Sequence, residues 1–249
     1  DRKVPGVYVV EEPGFPPSVV AVETAVPAFI GFTENHAGLG PDPSKPYVRK
    51  VQSFLEYEKI FGGPKVKNAF TIATSPVVAV TANPMEYRMY YGLQHYFLNG
   101  GGPCYITSVG GYTDAGADVS PDKSLVPNGL DALDIVDEPT LYIMPDHYEM
   151  NDYYDLCEMA LNHCNTLGDR FLICDVHALD MQDFADGNVT SPMLRGEIAV
   201  ADKNKYGAAY GPSLETSVAW RMNEDDEQQV QTIGGVAKKI STVKSSNRG

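Results

Sequence analysis

The sequence predicts an α/β fold, with a mostly parallel central sheet flanked by helices, an extended N-terminal arm and polar C-terminal strands. Three observations carry that expectation. Ala25 to Phe32 is an unbroken apolar run of strand length, the pattern of a central strand covered on both faces. Tyr90 to Tyr112 joins a helical repeat (Tyr90, Leu93, Tyr96, Phe97) to the strand-like Tyr105, Ile106 and Val109 through Asn99 and Gly100 to Gly102, glycine being the residue that accepts the left-handed backbone ending a helix. Helical and strand segments then alternate along the chain, as they do where helices cover a parallel sheet.

Taken in order, residues 1–24 read as an arm. Val7 to Val10 is strand-forming, Pro13, Pro16 and Pro17 forbid helix, and Val19 to Val22 returns to strand chemistry. The main domain is expected over 25–217, with loop insertions near 33–46, 64–83 and 113–127. Thr33 to Pro46, rich in Gly, Pro and Asp, reads as an exposed loop. Ser53 with Glu56 three residues on has capping-box spacing for a short helix, which Gly62-Gly63 ends. Pro64 to Asn83 is polar and β-branched and reads as a surface insertion or hairpin. Pro84 opens a helix over Met85 to Leu98, proline being tolerated in a first turn. After the loop from Thr113 to Pro127, Asn128 caps a helix through Leu130, Leu133 and Val136. Leu141 to Met144 forms a strand, Asp152 to Leu167 a helix and Phe171 to Cys174 a further core strand. Residues 218–249 are read as strands and a tail, with Glu227 to Val243 supplying one or two polar strands.

Composition narrows the function classes. The formal charge is −14 and the pI about 4.7, so phosphate backbones are repelled and nucleic acid is a poor partner. No apolar run approaches the roughly 20 residues of a membrane helix, and the charged first residues lack a signal-peptide core, so cytoplasmic synthesis without membrane insertion is expected. The four cysteines, Cys104, Cys157, Cys164 and Cys174, do not form a disulfide framework in a chain of this length and read as reduced, buried thiols. Cys157, His163 and Cys164 share one helix, but His163 points about 100° away from Cys164 by helical geometry and no CxxC or HExxH pattern accompanies them, so no metal is assigned. The acidic stretch Asn223 to Glu227 lacks the alternating ligands and central glycine of a calcium loop and reads as a solvated turn.

In an α/β sheet, ligands sit beyond the carboxyl ends of the strands, where Asp146-His147 and Asp175-Val176-His177 stand. These four titratable groups make the case for a hydrolase or transferase. Against it, the chain has no GxSxG elbow, GxGxxG or GxxxxGK[ST] motif, and Asp at strand ends commonly bonds turn amides. No catalytic, cofactor-binding or metal residue is assigned on this reading. The fifteen tyrosines, concentrated at Tyr87 to Tyr105 and Tyr142 to Tyr154, suit helix faces buried partly in the core and partly between subunits better than a ligand platform.

Five segments in order then carry a resemblance. They are Pro5-Gly6-Val7-Tyr8 with Glu11-Glu12; Thr24-Ala25-Val26-Pro27-Ala28-Phe29-Ile30-Gly31-Phe32; Ser53-Phe54, Glu56-Tyr57-Glu58 and Phe61-Gly62-Gly63; Glu138 to Asp146 (EPTLYIMPD); and Gly168 to Val176 (GDRFLICDV). With YGAAYGPSLETS near the end, the chain resembles the sheath subunit of contractile phage tails and extracellular contractile injection systems. It departs from the family's AAYYPWL at Ala208-Ala209-Tyr210-Gly211-Pro212-Ser213-Leu214, and nothing after Ser217 clearly matches the family's tube-facing domain.

The resemblance implies a structural subunit that is not an enzyme and polymerises helically with itself around an inner tube protein. Baseplate and terminator or cap components are further partners, and the array contracts to drive the tube through a target envelope. Assembly is expected in the bacterial cytoplasm, the product being a phage tail or a released extracellular particle. A low-copy baseplate or adaptor component on the same domain is the alternative. Intersubunit contacts are expected from Val7, Tyr8, Val9, Val10, Glu11 and Glu12 of the arm as a donated strand, with Pro13-Gly14 and Pro16-Pro17 as its hinge. They are also expected from Lys238 and Lys239, since Arg221, Lys238, Lys239, Lys244 and Arg248 concentrate positive charge in the last 29 residues.

Overall fold

The computed structural model describes residues 25–65, 70–73, 79–82, 87–112, 125–147, 153–176, 198, 204–219, 221, 230–233 and 236–239. The readings of the arm, including Val7 to Glu12, of the loop 113–124, of Asn223 to Glu227 and of His177 lie outside the described residues.

The strands are β1 (Pro27–Thr33), β2 (Tyr47–Val51), β3 (Phe70–Ala73), β4 (Ala79–Ala82), β5 (Cys104–Gly111), β6 (Leu141–Ile143), β7 (Phe171–Asp175), β8 (Gly207–Tyr210), β9 (Val230–Ile233) and β10 (Val236–Lys239), and the helices are α1 (Phe54–Phe61), α2 (Met89–Leu98), α3 (Val126–Leu133) and α4 (Tyr153–Leu167). Six strands form one sheet in the order β2-β5-β1-β6-β7-β8. All neighbours in it are parallel except the antiparallel edge pair β2–β5. The α/β class with a mostly parallel sheet and covering helices is therefore the observed architecture. β3 and β4 pair as an antiparallel hairpin, as do β9 and β10.

β1 is buried at every position, because helices cover both faces of the sheet. Phe29 packs with Val51, Cys104 and Ile106 against α1 and α2. Ala28, Ile30 and Phe32 pack with Val109, Tyr142 and Leu172 against α3 and α4. The period-two alternation of a strand thus feeds two cores from one apolar run.

Helix ends follow local chemistry. Ser53 Oγ accepts from the Glu56 N–H at 3.2 Å while Glu56 Oε2 accepts from the Gln52 N–H at 2.8 Å, so the box closes one residue earlier than its usual reciprocal bond. Gly62 (φ 89°) then stops α1. At the end of α2, the Gly101 N–H bonds to Tyr96 O at 3.0 Å and the Gly100 N–H to Phe97 O at 3.1 Å, with Gly100 at φ 84°. That is the paired 6→1 and 5→2 closure of a Schellman end.

The three glycines of this joint are not equivalent. A Cβ on Gly100 would be strained by φ, one on Gly101 would collide with the Tyr96 ring, and one on Gly102 would meet nothing. Gly100→Ala and Gly101→Ala are each expected to cost about 1 to 3 kcal/mol. Gly102→Ala and Gly38→Ala, whose added methyl also meets nothing, should melt with the parent in a thermal scan. Equal melting temperatures across all four variants would remove the joint's structural role.

Three sequence expectations are corrected. The helix expected from Met85 begins at Met89, its start being set by a carboxylate distant in sequence. α3 begins at Val126, so Asn128 lies inside its first turn, and the helix ends at Leu133 short of Val136. β2 was not expected. Its Tyr-Val-Arg-Lys-Val alternation belongs to a half-buried edge strand, with Arg49 exposed and Val51 buried. Of the tyrosines, Tyr57, Tyr90, Tyr142, Tyr153 and Tyr154 are fully buried within this chain, which is the core part of the role expected for them.

Candidate functional site

The chain leaves β1 for β5 on one side and returns to β6 on the other, so the strand order reverses at β1. In open α/β sheets the crevice at the carboxyl ends beside such a reversal is where ligands sit, commonly against a helix N-terminus. Here the chain fills that place itself. Pro145 to His147 makes a single 3-10 turn after β6, which carries the Asp146 carboxylate under the start of α2. Oδ1 accepts the Arg88 and Met89 N–H groups, the latter at 2.7 Å, and Oδ2 accepts the Phe32 N–H at 2.7 Å.

The anion that a helix N-terminus favours is thus supplied by residue 146. Gly31 is required beside it, since a Cβ there would collide with Asp146 Oδ2 and meet Met89 Sδ at 2.7 Å. Burial pushes the Asp146 carboxyl up to about 6, outweighing the three amide bonds and the Arg88 charge, which act the other way.

Of the four groups that made the case for catalysis, Asp146 is therefore a buried anchor joining β1, β6 and α2. Asp175 ends the neighbouring strand β7, is exposed, and its N–H donates to Tyr153 Oη at 3.0 Å. His147 follows Asp146 in the 3-10 turn. The structure brings the two aspartates to adjacent strand ends but commits one of them to backbone amides.

A serine and histidine that sequence reasoning missed do meet at the carboxyl end of β1 and β5. His36 Nδ1 lies 2.8 Å from Ser108 Oγ, which lies 2.6 Å from Thr33 Oγ1, and His36 Nε2 lies 3.0 Å from Pro43 O. A carbonyl only accepts, so Nε2 carries the proton and Nδ1 accepts from the Ser108 hydroxyl, leaving Thr33 to donate to Ser108. Burial lowers the His36 pKa, which keeps this tautomer neutral. Both residues are buried, and the bonds pin an otherwise exposed loop to the sheet. The only sequence signal was a lone histidine in a polar loop.

The cysteines are all free and buried. Burial raises the Cys157 thiol and pushes Cys104 and Cys164 up to about 12, a setting for packing, whereas a hydrogen bond from the Cys157 thiol holds Cys174, whose Sγ donates to the Ala208 carbonyl at 3.4 Å, below the usual thiol range. His163 turns away from the cysteines to Asp134, with Nε2 2.6 Å from Oδ1. Among the described residues, Asp131, Asp134 and His163 are the group whose ligand atoms, all within 4.8 Å of one another, could hold a metal ion. Both aspartates are exposed, and the His163–Asp134 bridge already joins α3 to α4.

Lys238 and Lys239 stand on β10, opposite Gln231 and Val230 of β9. Arg221, expected with them at a subunit contact, is engaged within the chain. Its N–H donates to Tyr91 Oη at 2.9 Å and its guanidinium lies 3.5 Å from Glu58, which also accepts from Tyr90 Oη. Among the described residues, no helix is long and apolar enough to cross a membrane. No protein-family model matches the chain, and no curated protein matches it either.

Proposed function

We propose that the chain is a structural subunit of a contractile sheath, polymerising with itself around an inner tube and shortening to drive that tube through a target envelope. The observation that carries this reading is the run of five sheath-like segments in order, four of which supply β1, α1, β6 and β7 of the described core. The Asp146 anchor supports it: at the strand reversal, where an enzyme of this architecture binds its substrate, the chain's own carboxylate occupies the helix N-terminus. The proposed partners are further copies, the tube protein, and baseplate and terminator components. Assembly takes place in the bacterial cytoplasm, before the particle acts as a phage tail or is released.

The extended N-terminal arm and the polar C-terminal strands are the parts through which neighbours connect. A strand donated by residues 7–12 supplies directional hydrogen bonds while the proline-rich exit at 13–17 swings, and such head-to-tail contacts generate open helical arrays. The chain should form striated tubes with the inner tube protein under negative-stain microscopy. Deleting residues 1–12 should abolish the tubes while leaving thermal unfolding nearly unchanged, because a proline-interrupted segment of this sequence offers little to a core. Ordered tubes from the truncated chain would overturn the donated strand. A monodisperse particle under all conditions would overturn the sheath.

A further inference from the structure

The exposed carboxylates of the α3–α4 pair have no Lys or Arg beside them on their own helices, although β2, packed against α3, carries Arg49 and Lys50, and the 3-10 turn Asn204–Tyr206, packed against α4, carries Lys205. Asp131 and Asp134 stand one turn apart at the end of α3, and Asp155 and Glu158 on the first half of α4 also reach solvent. The one Lys or Arg within 125–147 and 153–176 is Arg170, which is only 3% exposed and is held by Asp169 and the Val136 carbonyl. Two apolar side chains stand among these acids, Ile135 at 89% and Met159 at 44% exposure. The His163–Asp134 bridge sets the two helices side by side, and Met159 lies one turn before His163, so Ile135, Met159 and the four carboxylates share one surface.

Two features mark this surface as more than an acidic protein's ordinary exterior. Asp131 and Asp134 sit at the C-terminal end of α3, the negative end of the helix dipole, where carboxylates are disfavoured and a cation is favoured. Ile135 is an isolated β-branched side chain left almost wholly in water beside them, an arrangement suited to a partner carrying both positive charge and apolar residues. The chain contains such a partner. Residues 230–249 hold Lys238, Lys239, Lys244 and Arg248, with Val236, Ile240 and Val243 interleaved and no Asp or Glu.

We infer that the α3–α4 face is the surface on which an adjacent copy of this chain docks its basic C-terminal segment. The choice of a second copy rests on the sheath reading. Donor and acceptor surfaces differ, so the contact is head-to-tail and leaves each added subunit with a free acceptor.

The test uses the full chain in four forms: wild type, Asp131→Lys with Glu158→Lys, Lys238→Glu with Lys239→Glu, and all four changes together. Self-association is followed by sedimentation velocity from low to high salt, and folding by thermal unfolding. Asp155→Lys serves as a second acidic-face variant should the first pair lower the melting temperature. Each one-sided reversal is expected to weaken self-association by about 10-fold or more at low ionic strength, where screening is least, and the combined charge swap to recover most of that loss.

Wild-type assembly that both reversals leave intact would overturn the docking face while the sheath reading stands. Loss with the acidic-face variant that the swap fails to rescue would assign the face to a different basic partner and overturn the role of this tail. A wild-type chain that stays monomeric, with and without the tube protein, would overturn both.

Discussion

Asp146→Ala is expected to cost about 3 to 6 kcal/mol in urea unfolding at pH 4, because it leaves the buried amides of Phe32 and Met89 and the half-buried amide of Arg88 without their acceptor. With typical domain stabilities of about 5 to 15 kcal/mol, a loss of that size consumes much of the margin. The pH dependence runs opposite to ordinary acid denaturation. The folded carboxyl titrates at about 6, above its usual 3.8, so the native state holds the proton more tightly than the unfolded chain does.

The contribution of Asp146 is therefore fully present below pH 4 and is lost as pH rises through 6. A shift of roughly two units corresponds to about 3 kcal/mol, so the gap between wild type and Asp146→Ala should narrow by that amount between pH 4 and pH 7. Asp146→Asn, which keeps one acceptor oxygen, should fall between the two. A gap that widens toward neutral pH would mean that the amides hold the group ionised and that burial does not dominate.

Gly129→Val should be nearly as damaging for a different reason. Gly129 lies in α3 where the helix touches the sheet, and a Cβ there would come within 2.5 Å of Val109 Cγ1 and 3.2 Å of Ile30 Cγ2. Those atoms belong to fully or almost fully buried side chains of β5 and β1, so they have little room to move. Forcing branched bulk into this contact is expected to cost at least about 3 kcal/mol, read as a lower midpoint in denaturant, with Gly129→Ala losing less. An unchanged midpoint in Gly129→Val would show that α3 does not pack on the sheet through this glycine.

What could be read from residues alone was what local physics decides. β1 was legible because a run buried on both faces has no alternative place for its side chains. The start of α1 was legible because Ser53 and Glu56 satisfy amides within one turn. The start of α2 was not, since its capping carboxylate comes from 57 residues further along, and the local signal, Pro84, pointed four residues too early. β2 escaped because an antiparallel edge strand alternates charge with apolar groups and so reads as loop when it follows one. At the strand ends, Asp146 and Asp175 were recognised as chemically interesting. Only the fold reveals that one is consumed by backbone amides while an unremarked Ser108 meets His36.

The position of β1 at the reversal of strand order also has a consequence for biosynthesis. The strand's neighbours on either side are β5 and β6, both of which leave the ribosome well after it. At translation rates of about 5 to 20 residues per second, the roughly 70 residues separating β1 from β5 take about 4 to 14 seconds to emerge. For that interval the most apolar strand of the sheet has no edge to join, which leaves its apolar side chains exposed to aggregation until the neighbouring strands emerge.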